Sequence, residues 1–262
     1  MPKHRQQRGH TRDTLQQQVN NRRNTRTSVS TAMPPADRPV REPCAENEMD
    51  GQSGPPVDVD LHHLEANKDC KMSDVWIIGS SIIRDAFQTA CRRSEGAHLG
   101  LQSLGYNVIW EYQGGMKVSD LKPSIEYLLE FKNAPKFLII HCGGNDLGNR
   151  PSVEIIWDIK NFITGTLLEK MPDTKIIWSQ ILPRRSWRYI QCNKTANKTR
   201  MRINSCISTF VIKLGGYYIR YPDITENPRL YRPDGTHLSD FGNHILLNTI
   251  SGALHTFTSM AG

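Results

Sequence analysis

From Asp74 onward, short apolar runs alternate with longer amphipathic stretches, and this alternation constrains the fold more than any other feature of the chain. Residues 75–78, 107–112, 136–141, 175–179 and 217–221 read as five short strands. Between and after them, residues 82–103, 118–131, 152–170, 195–214 and 238–256 read as helices, the first interrupted near Ser94-Glu95-Gly96. In the second of these, Val118, Leu121, Ile125, Leu128 and Leu129 fall at helical spacing, and Pro123 sits in the first turn, where a missing N–H does little harm. Gly215-Gly216 suits a helix C-cap and Ser239 an N-cap. Strands joined by crossover helices predict one α/β domain: a five-stranded parallel sheet covered on both faces, three layers in all, with right-handed connections.

Such sheets carry their sites beyond the carboxyl ends of the strands. Ser81 follows the first strand, Gly114-Gly115 the second, Asn145 the third, and Asp234 and His237 the fifth after a loop. Four separate segments therefore deliver chemically useful groups to one edge. A structural origin for any single motif does not explain that convergence.

Residues 1–72 have a different character. They hold almost no large apolar side chains, and prolines 34, 35, 39, 43, 55 and 56 punctuate them, so they cannot bury enough surface to offset chain entropy. The segment is expected to be a disordered tail ahead of a single domain at residues 73–262. Its charge is split: residues 1–41 carry nine Lys/Arg against Asp13 and Asp37, and residues 42–70 carry eight acids against Lys68. The formal charge of +7 consequently resides in the folded part, which leaves room for a nucleic acid partner without requiring one. The basic start of the tail is a second candidate for such contacts, although no aromatic residue interleaves its cations.

The first 30 residues lack the apolar core of a secretory signal, and no run approaches the length of a membrane span. The six cysteines are widely spaced, with no Cys-x-x-Cys pair and no zinc-type His/Cys grouping; no metal is expected, and the thiols suit an intracellular protein, cytoplasmic or nuclear.

The chemistry-bearing motifs are unequal in specificity. Asp234-Gly235-Thr236-His237 is the strongest, since an Asp three residues before a His can hold the imidazole from within one loop and fix its tautomer. Gly143-Gly144-Asn145-Asp146 combines a tight turn with a side-chain amide donor; Asp146 is expected to tie the loop to nearby backbone N–H groups. Gly79-Ser80-Ser81 and Gly114-Gly115 are weak alone, being equally compatible with ordinary turns. His141 and Cys142 are expected to be a satisfied core histidine and an inert thiol. Arg184, Arg185, Trp187, Arg188 and Tyr189 form a basic loop with aromatics. That pattern suits an acidic substrate, an RNA strand, a lid, or a solvated loop anchored by Trp187.

Taken together, residues 75–254 resemble the SGNH (GDSL-type) hydrolase superfamily, with its four blocks in order: Ser81, Gly115, Asn145, and Asp234 with His237. The resemblance implies a flavodoxin-like domain without cofactor. It further implies Ser81 as nucleophile, Asp234 and His237 as acid and base, and an oxyanion hole made by Gly115, Asn145 and the backbone N–H of Ser81. Ser80 stands where the family has Asp, which bears on efficiency more than on mechanism. The implied activity is hydrolysis of carboxylic esters, acetyl or short acyl. The alternative is an inactive relative serving as a binding module, with RNA as its partner, because fold does not fix function. A charged leader before such a domain also resembles proteins derived from mobile elements. Oligomeric state is not legible.

Overall fold

The computed structural model describes residues 72–260; the charged N-terminal segment expected to be disordered, with its basic run, lies outside the described residues. Five strands form one parallel sheet: β1 (Ser73–Gly79), β2 (Tyr106–Tyr112), β3 (Phe137–His141), β4 (Lys175–Ser179) and β5 (Tyr217–Ile219), in the order β2-β1-β3-β4-β5. β3 is the central strand, and β1 lies between it and the edge strand β2, with Val75 opposite Val108 on one side and Phe137 on the other.

Because successive strand residues face opposite ways, each apolar strand feeds two cores. Trp76, Ile78, Leu138, Ile140, Ile176 and Trp178 belong to one. It is closed by α2 (Leu121–Phe131), α3 (Ser152–Phe162) and α5 (Asn193–Lys213), through residues such as Ile125, Ile159 and Ile207. Val75, Ile77, Phe137, Ile139 and Ile177 belong to the other, under α1 (Ser81–Ala90) and α6 (Asp240–Met260). The expected three layers are therefore present, with α2, α3 and α5 on one face of the sheet and α1 and α6 on the other.

Helix boundaries depart from the sequence expectation where local chemistry breaks the period. The helix expected over residues 82–103 stops at Ala90; turns follow and then a 3-10 turn at Leu101–Leu104, since Ser94, Gly96 and Gly100 cannot sustain the apolar stripe. The helix expected over 152–170 passes through a π-turn at Ile163–Leu167 into the short α4 (Leu168–Lys170). Pro123 lies in the first turn of α2, and Ser239 Oγ accepts the Gly242 N–H at 3.1 Å, an N-cap ahead of α6. Among the described residues no helix is long and apolar enough to cross a membrane.

Candidate active site

Ser81 opens α1 directly after β1, at a helix end whose N–H groups lack intrahelical acceptors. Its Oγ lies 2.9 Å from His237 Nε2, although 156 residues separate the two in sequence. The other ring nitrogen, Nδ1, lies 2.7 Å from Asp234 Oδ2. The second carboxylate oxygen, Oδ1, accepts the N–H groups of Thr236 (2.8 Å) and His237 (2.9 Å). Slight burial opposes ionisation of Asp234, but these bonds and the neighbouring imidazole outweigh it and hold the carboxyl down to about 2. A carboxylate at Nδ1 fixes the tautomer: Nδ1 carries the proton and donates it to Asp234, and the Nε2 lone pair faces the Ser81 hydroxyl. Gly235, at φ +69°, makes the turn that folds the carboxylate back over its own loop.

Of the other expected residues, Asn145 and Arg184 line a cleft next to Ser80, whereas Gly115 is not among the residues that line it. Met116 and Gly144 line the same cleft. Asn145 Nδ2 donates to the Met116 carbonyl at 3.1 Å, which ties the Asn loop to the segment just after Gly115. Asp146 reinforces the tie by accepting the Val118 N–H at 3.2 Å, the loop-holding role expected of it. Burial raises the Asp146 carboxyl, against the pull of that N–H and of Arg150.

The basic loop divides. Arg184 and Trp187 are buried, the guanidinium carbon 5.0 Å from the Trp187 ring centroid, whereas Arg185, Arg188 and Tyr189 are exposed. Backbone bonds stitch the loop to the Asp-x-x-His turn: the Arg185 and Ser186 N–H groups both donate to Gly235 O, at 2.8 and 3.1 Å. Tyr231 Oη adds a bond to Pro183 O at 2.7 Å. Trp187 packs into the core cluster and anchors the loop there.

His141 and Cys142 are buried beside the cleft. His141 Nδ1 meets Ser179 Oγ at 2.8 Å, and Ser179 Oγ meets Tyr221 Oη at 2.6 Å. Burial, aided by the Arg184 charge, pushes His141 down to about 3, so it is a neutral core imidazole. Burial raises the Cys142 thiol, which keeps it protonated and inert.

Sequence reasoning passed over Asp85 and Arg232. Asp85, only 3% exposed, sits one turn beyond Ser81 and takes Arg84 at 2.8 Å and Arg232 at 3.2 Å. Arg232 in turn precedes Asp234 by two residues, so this ion pair joins the serine's helix to the histidine's loop. The i+4 spacing of a carboxylate from Ser81 was the available signal.

Neither family models nor curated proteins match the chain by sequence. Solved structures do match it. A GDSL-like lipase from Bacteroides thetaiotaomicron superposes with a TM-score of 0.53 at 19% identity, over 73% of this chain and 91% of its own. An acetyl esterase mutant, serine replaced by alanine and solved with an acetate ion, superposes with a TM-score of 0.55 at 17% identity, over 73% of this chain and all of its own (100%). The chain shares its fold with these GDSL-like lipase and acetyl esterase structures. Ser81, Asn145 and His237 follow the carboxyl ends of strands of the sheet.

Proposed function

We propose that the protein is a serine esterase that hydrolyses carboxylic esters of short acyl groups, acetyl foremost. The observation that carries this reading is the unbroken line from Asp234 Oδ2 through His237 to Ser81 Oγ, with links of 2.7 and 2.9 Å. Ser81 Oγ attacks the ester carbonyl carbon while His237 Nε2 takes the hydroxyl proton. The carbonyl oxygen becomes an oxyanion, held by the N–H groups of Ser81 and Gly115 and by the Asn145 amide. Collapse expels the alcohol, which receives the proton from His237. Water, deprotonated by the same nitrogen, then attacks the acyl-enzyme, releasing the carboxylic acid and restoring Ser81. Asp234 stays ionised throughout and stabilises the imidazolium.

Two measurements test the reading together: labelling by a fluorophosphonate probe and turnover of p-nitrophenyl acetate. Wild type is expected to label at Ser81 and turn over, with Ser81→Ala lowering kcat by about 10⁴-fold or more. Equal hydrolysis by both proteins refutes it.

A second reading, an RNA-binding module, is favoured by one surface. Lys194, Lys198 and Arg202 are exposed on successive turns of α5, a helix without a single acidic residue, and Arg185 and Arg188 are exposed in the loop before it. Salt-sensitive RNA affinity in a protein that neither labels nor turns over is the outcome that selects it.

A further inference from the structure

Arg184 is buried without a direct ion-pair partner. Its side chain is 6% exposed, and burial pulls its pKa down to about 10, so it remains a cation at neutral pH. Among the described residues no carboxylate reaches ion-pair distance of it; the Asp234 charge acts on it only from further off, and its Nε has no hydrogen-bond partner. Its Nη1 and Nη2 both reach one acceptor, Asn145 Oδ1, each at 3.3 Å. Below the guanidinium lies the Trp187 ring; above it Gly144 leaves the space, since a Cβ there would stand 2.6 Å from Nη2. Arg184, Gly144 and Asn145 line one cleft with Ser80.

A lone buried cation destabilises a fold unless something compensates it. Here the surroundings hold it in place and offer only an amide oxygen. Resting on the esterase reading, we infer that Arg184 is a positioning residue of the oxyanion hole: it clamps the Asn145 amide by its oxygen and sets a positive charge behind the donor that meets the developing oxyanion. The fork onto Oδ1 acts with the bond from Nδ2 to the Met116 carbonyl to fix which end of the amide is the donor, turning Nδ2 away from the guanidinium and leaving its second hydrogen for the oxyanion. It also withdraws electron density from the amide, which makes the Nδ2 hydrogens better donors. A further negative charge, at the amide that Arg184 holds, develops when the tetrahedral intermediate forms, so the interaction favours that state over bound ester.

This role has a signature that a purely structural arginine lacks. Arg184→Met is expected to lower kcat for p-nitrophenyl acetate, an uncharged ester, by about 10- to 100-fold, with KM unchanged within about twofold. The melting temperature of the same variant is expected to be equal to or above that of wild type, because an unpaired buried charge has been replaced by an apolar chain of similar reach. Arg184→Lys keeps the charge without the fork and is expected to fall between the two; it carries the test if the Met variant does not fold. In an Asn145→Ala background, Arg184→Met is expected to cost less than about threefold, because the path runs through that amide.

Three outcomes overturn the inference while leaving the esterase reading intact: undiminished kcat in both Arg184 variants of an active wild type; a rise in KM alone, which would make Arg184 a contact for substrate; or an undiminished loss in the Asn145→Ala background. Wild-type protein that neither labels at Ser81 nor turns over removes the esterase reading first and this inference with it.

Discussion

Asp234→Asn separates holding the histidine from holding the loop. In the native turn, Oδ1 accepts two backbone N–H groups and Oδ2 faces Nδ1. Asparagine keeps the first function, since its carbonyl oxygen can still accept the Thr236 and His237 N–H groups. It inverts the second, because an NH₂ now faces Nδ1 and drives the ring proton to Nε2. Nε2–H then points at Ser81 Oγ and has no lone pair with which to take its proton. A loss in kcat/KM of about 10³- to 10⁴-fold is expected. The stability effect is much smaller. Lowering the carboxyl from 3.8 to about 2 corresponds at face value to about 2.5 kcal/mol, but a side chain 48% exposed is screened by solvent, leaving about 1 kcal/mol. Since the folded pKa is the lowered one, that contribution is complete above the unfolded value and disappears as pH falls through about 2. Urea denaturation at pH 7 and at stepwise lower pH should show a gap between wild type and variant that closes across this acid window. Less than a tenfold loss of turnover at pH 7, in a variant as stable as expected, would mean that Asp234 does not set the tautomer.

Asp85→Ala is expected to cost about 2 kcal/mol in urea denaturation, tempered because Arg84 and Arg232 are both partly exposed and can rehydrate. It is also expected to lower kcat more than it raises KM, because the serine's helix loses its tie to the histidine's loop; a kcat unchanged within twofold would show that the backbone bonds around Gly235 suffice. His141, held neutral by burial, is expected to show a flat ring C–H chemical shift from pH 5 to 8 in an NMR titration, and a midpoint inside that range would contradict its core role.

The sheet was legible because burial on both faces leaves a plain mark: Trp76-Ile77-Ile78 and Ile176-Ile177-Trp178 are continuous apolar runs that both cores consume. The helix after β1 was less so. Its apolar stripe ends at Ala90, yet further apolar residues, Leu99 and Leu101, recur at spacings that a longer helix would share, and only the structure shows them reaching the same core through turns. In the candidate site, the groups with their own local geometry could be found from spacing, the Asp-x-x-His turn above all. Arg184 stands out in sequence only as a cation of the basic loop, and Asp85 offers only its i+4 spacing from Ser81; nothing in their neighbours along the chain announces an ion pair 147 residues away in sequence or an amide acceptor 39 residues back.

Those long-range links also explain how a site assembled from loops can be well defined. The ends of β1, β2, β3 and β5 lead into the candidate groups, but a strand fixes only where its loop begins. The remaining freedom is removed between loops: Asn145 to Met116, Asp146 to Val118, Gly235 to Arg185 and Ser186, Asp85 to Arg232. Every one of these links joins two segments that carry or flank a candidate catalytic group, and none lies in the sheet. Precision at Ser81 and His237 is therefore a property of the rim, separable from the stability of the two cores beneath it, and substitutions along the rim should alter turnover out of proportion to their effect on folding.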